Sequence, residues 1–416
     1  MGEIMVKITE TENICKILNN HYTEMKKFEK IYFISYMSLT KKLNEDFYLN
    51  ELKEEGFDVK YLDITKIFFK DFKIADTLNA DYILKFDNYK DLKVFLKNNS
   101  DALYFILITY ELKVFKLHRL FRKYNLKTAF FARYGLPIYG DLCFSEKISN
   151  VCKNPLKILF FFKNRFISLV PKIAKKLGYT RNYDIVFTTG ELVKNNFKDK
   201  VKQIVEVNFS DYDKYLELKV KQNDRLIDKK YCVFLDEYLP YHPDLKMFNI
   251  PAVNADNYYK SMNNFFDLIE KKFNVEVVIA SHPKSDYLEN PFNKRKIFKN
   301  KTAELIKYSE FVFAHMSTSV CFSVFFRKPI FFLYTNEYKQ IYKDNYLPFI
   351  FKMAATLGRK VFNINEIDNN FCFDNFDMSV NEDLYLKYIN DYFTTPKSNN
   401  LLSKDIVVKF LRGNIN

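Results

Sequence analysis

Three short polar groups in the C-terminal half of this 416-residue chain have the residue types of a group-transfer site: Asp236-Glu237, His282-Pro283-Lys284 and His315-Met316-Ser317-Thr318-Ser319. A carboxylate such as Asp236 can take the proton from an attacking hydroxyl. A histidine titrates near neutrality, so His282 can assist the departure of a phosphate. Ser317, Thr318 and Ser319, placed where a helix starts, combine hydroxyls with free backbone amides and the positive end of the helix dipole, which makes an anion cradle. Each group also has an ordinary counterpart: a solvated carboxylate pair, a turn histidine, a serine N-cap. Their clustering carries more weight than any one of them. Three of the five histidines, His242, His282 and His315, fall in this half.

The elements that would position these groups are short apolar runs alternating with helical patterns, the signature of parallel α/β architecture. Strands are expected at Ile31–Ser35, Val59–Leu62, Ala102–Leu107, Thr128–Ala132 and Ile185–Thr188, then at Tyr231–Leu235, Val275–Ala280, Phe311–Ala314 and Pro329–Tyr334. The three polar groups stand at the ends of the first three strands of the second set. Ligands of open α/β sheets bind at the carboxyl ends of strands. A helix is expected over Asp256–Phe273, where Tyr258, Met262, Phe265, Phe266, Ile269 and Phe273 follow three-and-four spacing. The charged stretch Lys219–Lys230 reads as a linker, dividing the chain into residues 1–222 and 223–416.

Length fits two domains, and 48% apolar residues fill their cores. A net charge of +14 favours anionic partners, with no signature of specific nucleic-acid binding. The six cysteines form no CxxC pair, so neither zinc nor a disulfide framework is expected. Asp211-Tyr212-Asp213 reads as a solvated turn, and no metal is expected. No signal peptide stands at the N-terminus, and no run reaches the ~18 apolar residues of a membrane span. The expectation is a cytoplasmic protein, soluble or peripheral at the inner face of the membrane. Asn154–Leu177 mixes Phe, Leu and Ile with six basic residues and suits either an anionic membrane surface or a core helix with snorkelling lysines.

The order of the groups, acidic pair, His-Pro, then Ser/Thr, resembles bacterial sialyltransferases and related nonulosonate or Kdo transferases. It is carried by FLDEYLPYHPD, VVIASHPKSDY, FAHMSTSV and KPIFFLY, about a quarter of the chain. One departure stands out: the acidic motif of those enzymes ends in Gly, and here Tyr238 stands in that place. The resemblance implies a GT-B fold, two Rossmann-like domains facing across a cleft, with the acceptor on the N-terminal side. It implies an inverting, metal-independent transfer of a sialic-acid-like keto-sugar from a CMP donor to a cell-surface glycan or glycolipid. No cofactor is implied beyond that donor. Asp236 would be the base, His282 would assist the leaving phosphate, and His315, Ser317, Thr318 and Ser319 would bind the nucleotide phosphate. The competing readings are a surface-polymer transferase using a UDP-sugar or CDP-polyol, and a non-enzymatic basic protein that binds membrane or nucleic acid.

Overall fold

The computed structural model describes residues 27–69, 77–108, 110–133, 173, 176–180, 182–221, 225–247, 250–344 and 346–414. The strands of the first sheet are β1 (Lys30–Ser35), β2 (Asp58–Asp63), β3 (Ile83–Lys85), β4 (Leu103–Ile106), β5 (Lys127–Ala132), β6 (Ile185–Thr189) and β7 (Gln203–Val207). They lie in the order β3-β2-β1-β4-β5-β6-β7. The second sheet holds β8 (Tyr231–Leu235), β9 (Glu276–Ser281), β10 (Ile297–Lys299), β11 (Val312–Ala314), β12 (Ile330–Tyr334) and β13 (Val361–Asn363), in the order β10-β9-β8-β11-β12-β13. All these pairings are parallel. Counted from its own first strand, the second sheet runs 3-2-1-4-5-6, the doubly wound order of nucleotide-binding folds, and the first runs the same order with a seventh strand added at its edge. The chain is an α/β protein of two Rossmann-like domains, the architecture of the GT-B fold.

Central strands of such sheets are covered on both faces and read as unbroken apolar runs. Tyr231-Cys232-Val233-Phe234-Leu235 is such a run, and all five residues are buried. Every expected strand is present. The four strands that the sequence did not announce, β3, β7, β10 and β13, are the four sheet edges. Each carries half-buried or exposed positions that dilute the apolar signal.

The expected helix after β8 spans Ala255–Phe273. Asn254 caps it by accepting from the Asn257 amide, and Asn274 closes it in the left-handed conformation. Its buried face includes Tyr258, Met262, Phe265, Phe266 and Ile269.

The last helix, Ser403–Arg412, returns to the first sheet, where Ile406, Val407, Phe410 and Leu411 enter its core. The anchor for that return is Asp213, which accepts from the Ser403 amide (3.1 Å), from Asn208 Nδ2 (3.1 Å) and from the Tyr48 hydroxyl (3.2 Å). The solvated turn expected at Asp211-Tyr212-Asp213 is therefore corrected: these residues open the helix Ser210–Val220, and Tyr212 is buried. Most of Asn154–Leu177 lies outside the described residues. No helix among the described residues is long and apolar enough to cross a membrane.

Candidate functional site

Sheet register sets the geometry. Leu235 at the end of β8 pairs with Ala280 of β9 on one side and with Ala314 of β11 on the other. Asp236-Glu237, the Ser281-His282 tip and His315-Met316 therefore leave the sheet at one level and along one edge. With neighbouring strands about 5 Å apart, the tips of β9 and β11 flank the acidic pair at about 10 Å from each other.

Asp236 and Glu237 divide that space. Asp236 is buried and faces β9. Its Oδ1 accepts from the Tyr238 amide (2.9 Å), its Oδ2 accepts from the Tyr287 hydroxyl (2.7 Å), and the His282 backbone amide donates to the same carboxyl. Burial pushes the Asp236 carboxyl up to about 6 in spite of these donors. Glu237 is half-buried and faces β11, where its Oε1 accepts from the Met316 amide. Burial pushes Glu237 up to about 8, with the Asp236 charge adding to the rise and the Met316 bond opposing it. Thus Asp236 has its oxygens filled and ties β8 to β9, while Glu237 keeps the oxygen Oε2 without a recorded donor.

Tyr238 occupies the place where the resembling enzymes have glycine, and it adopts the backbone that glycine favours, with φ 52°. An L-residue with a side chain pays about 1–2 kcal/mol there. The bond of its amide to Asp236, the ring contact with Tyr287 (centroids 5.0 Å apart) and a bond from its hydroxyl to the Asp286 carbonyl (3.3 Å) hold it in place.

His282 stands at the tip of β9, half-buried, with its ring against His242 (centroids 4.7 Å apart). Its Nδ1 accepts from the Lys284 amide (3.1 Å), so the hydrogen of the neutral ring sits on Nε2. Burial, followed by His242 and Lys284, brings the His282 imidazole down to about 4. At neutral pH His282 is thereby an uncharged N–H donor, and in that form it can assist a leaving phosphate by hydrogen bonding.

His315 does not join the phosphate-binding set expected for it. It is fully buried; its Nδ1 donates to the Leu333 carbonyl (2.6 Å) and its Nε2 accepts from the Tyr258 hydroxyl (2.9 Å). With both nitrogens engaged and Tyr338 stacked on the ring (5.4 Å), it positions the β11 tip.

The turn at residues 317–319 is partly consumed by its own bonds. The helix that follows, Val320–Phe325, has six residues. The amides of Val320, Cys321 and Phe322 reach back to the carbonyls of Ser317, Thr318 and Ser319. The Ser319 amide donates to Ser317 Oγ (3.2 Å), and the Met316 amide is held by Glu237. The Ser317 and Thr318 amides and the hydroxyls remain as donors, a smaller set than a long helix start would offer.

His242 joins the site by its contact with His282, a role that its place among the clustered histidines does not by itself imply. The available signal was a second His-Pro dipeptide, His242-Pro243, forty residues before His282-Pro283. Among the described residues no group of three or more His, Cys, Asp or Glu side chains gathers to hold a metal ion.

No protein family matches the sequence, and no curated protein does. Solved structures are similar at the level of the chain trace. A UDP-GlcNAc 2-epimerase from Methanocaldococcus jannaschii matches with TM-score 0.46 and 14% identity, covering 92% of this chain and 99% of that one. MurG from Acinetobacter baumannii matches with TM-score 0.44 and 9% identity, covering 92% and 99%. A variant of the wall teichoic acid polymerase TagF matches with TM-score 0.45 and 12% identity, covering 94% and 90%. Values this low leave the reaction to be argued from the site itself.

Proposed function

We propose that this chain is a glycosyltransferase that moves a sugar from a nucleotide-sugar donor to a cell-surface glycan or glycolipid, by a single inverting displacement that needs no metal. The observation behind this reading is the meeting of an acidic pair, a histidine donor and a Ser/Thr turn at one carboxyl edge of a doubly wound sheet. That edge is where such sheets hold ligands.

In this reaction the acceptor oxygen attacks the anomeric carbon, the carbon–oxygen bond to the phosphate breaks, and the phosphate leaves with the bonding electrons. Glu237 is better suited than Asp236 to take the acceptor proton. Its Oε2 has no recorded donor, and its carboxyl, pushed up to about 8, is matched to a base working near neutrality. Asp236, saturated by donors, keeps the β8 and β9 tips in register. The leaving phosphate needs no proton, because its second pKa is about 6. It needs donors aimed at the developing charge, which His282 Nε2–H, Ser317, Thr318 and Ser319 can supply.

A CMP-linked keto-sugar, implied by the motif order, and a UDP-linked sugar both present such a phosphate, and none of these groups reads the base. A lipid-linked acceptor would place the enzyme at the inner face of the cytoplasmic membrane. The test is a thermal-shift screen with CMP, CDP, UDP and GDP, followed by nucleotide release from the matching sugar donors with and without a chelator. Stabilisation by one nucleotide and chelator-resistant release support the reading. Absence of nucleotide binding to the folded chain defeats it.

A further inference from the structure

Two tripeptides face each other across the β8 and β9 tips, and they are near copies: His242-Pro243-Asp244 and His282-Pro283-Lys284. The histidine rings meet edge to face at 4.7 Å and 70°. The third residues meet as well, with Lys284 Nζ 2.9 Å from Asp244 Oδ1. Inside each tripeptide the third residue's amide donates to the histidine Nδ1, at 3.2 Å for His242 and 3.1 Å for His282. Both rings are thereby fixed in the same tautomer, with the hydrogen on Nε2. Neither Nε2 has a partner in the described structure, and neither is among the buried atoms left without one.

A clasp between two loops would need only the Asp244–Lys284 ion pair. The geometry adds two parallel-built N–H donors at the ligand edge of the sheet, and no described residue accepts from them. Lys284 and Lys299 supply positive charge beside His282, and among the described residues Asp244 is the acidic group facing the pair. The Ser/Thr turn of β11 has committed its Ser319 amide, and the three amides that follow it bond back to the turn's carbonyls. An anion arriving at this edge finds open donors at the histidines as well as at the Ser317 and Thr318 amides.

We propose that His242 and His282 form a phosphate-binding pair, each giving its Nε2–H to the phosphate that a nucleotide donor carries, with Lys284 and Lys299 as the nearby positive charge. This rests on the reading of the edge as a nucleotide-sugar site and assigns to His242 a binding role of its own. The pair works in its neutral form. A second proton would have to enter at Nδ1, where the amides of Asp244 and Lys284 already point their hydrogens. Burial and the facing charges of Lys284, Lys299 and the partner ring oppose that proton on His282, with Asp244 alone favouring it. On His242, burial and Lys284 oppose it and Asp244 favours it.

The test is acylation of the full chain by diethyl pyrocarbonate, read residue by residue by mass spectrometry. Acylation needs a ring-nitrogen lone pair, so each histidine presents one at Nε2 only when its hydrogen shifts to Nδ1; a phosphate held by Nε2–H blocks that route, and the buried His118 and His315 serve as internal references. Inorganic phosphate, CMP and UDP should each be tried, with cytidine and uridine as phosphate-free controls. The expected result is that phosphate and at least one nucleotide slow His242 and His282 together, and that the nucleosides slow neither. Protection of His282 alone overturns the pair and leaves the transferase reading standing. Protection of neither by any anion overturns the pair as well. Protection of both in a chain that releases nucleotide from no sugar donor supports the pair and sinks the transferase reading. His242→Ala should weaken binding of the protecting ligand by about tenfold, as for one charge-assisted hydrogen bond. His242→Gln, which keeps an N–H near the same place, should recover part of it, and equal losses in both variants would count against the pair.

Discussion

The two sheets of this chain share a strand order and differ in what their carboxyl edges do. In the first sheet, strand one ends in Ser35, whose Oγ accepts from the Met37 amide (3.0 Å). Strand two ends in Asp63, whose oxygens accept from the Thr65 amide (2.9 Å), the Thr65 hydroxyl (2.5 Å) and the Ser38 hydroxyl (2.8 Å). Strand four runs out through Leu107 into the buried Ile108. The β6 tip is covered: Gly190, at φ +70°, lies against the backbone of Asp391 with no room for a side chain. In the second sheet the same three positions carry Asp236-Glu237, Ser281-His282 and His315. Among the described residues of the strand ends compared, Ser35 and Asp63 are satisfied within the first edge, whereas the second edge leaves polar atoms open at Glu237, His242 and His282. Topology brings side chains to an edge; local bonding then decides whether they face a ligand or each other.

The sharpest way to break this contrast is to change one carboxylate on each edge. Glu237→Gln should lower turnover by about a hundred- to ten-thousand-fold, the usual worth of a general base, and leave nucleotide affinity nearly unchanged. Asp63→Asn should leave turnover per folded molecule alone and lower stability by about 1–3 kcal/mol, because it weakens acceptors on which buried donors depend. Steady-state kinetics and urea melts of the two variants separate these effects.

Stability against pH gives a second handle. The folded Glu237 carboxyl, at about 8, holds its proton more tightly than the unfolded chain does. Wild-type protein should therefore lose stability as pH rises from the ordinary carboxylate range through about 8. Glu237→Gln should lose less, and at pH 8.5 should be the more stable of the two by roughly 2 kcal/mol or more. The rate should follow the same group. With Glu237 as base, kcat/KM climbs with pH up to about 8, whereas a base at Asp236 would level off near 6.

Two backbone positions complete the contrast with smaller effects. Gly190→Ala should lower stability by about 2 kcal/mol, since a positive φ and a backbone contact both oppose a Cβ. At Tyr238, replacement by Ala keeps the positive φ and loses the ring contacts. Replacement by Gly loses the contacts but releases the strain. Tyr238→Gly should therefore exceed Tyr238→Ala in stability by about 1 kcal/mol in chemical denaturation.

What could be read from the sequence follows from how deeply each element is buried. Central strands such as β8 and β11 are apolar throughout and announced themselves. The edges β3, β7, β10 and β13 are half-exposed and did not. The strand-end polar groups were legible because each follows an apolar run. Their roles were not, because roles depend on contacts across strands. Nothing local to His315 reveals that Tyr258 and Leu333 hold both its nitrogens. Nothing local to Asp236 reveals the Tyr287 hydroxyl. The burial of Asp213 was hidden for the same reason, since its partner amide at Ser403 lies far along the chain. The repeated His-Pro was in plain view, but only the fold shows that the two rings meet.

The central claim is that the second sheet's carboxyl edge is the transfer site, with Glu237 as its base. The most direct test is release of nucleotide from a panel of CMP- and UDP-linked sugars, run on wild-type protein and Glu237→Gln with nucleotide binding measured on the same samples. The account predicts that wild-type protein turns over one donor class, and that Glu237→Gln binds the same nucleotide with nearly unchanged affinity while release falls at least about a hundredfold. Near-normal release by Glu237→Gln, or loss of binding and release together, would contradict it.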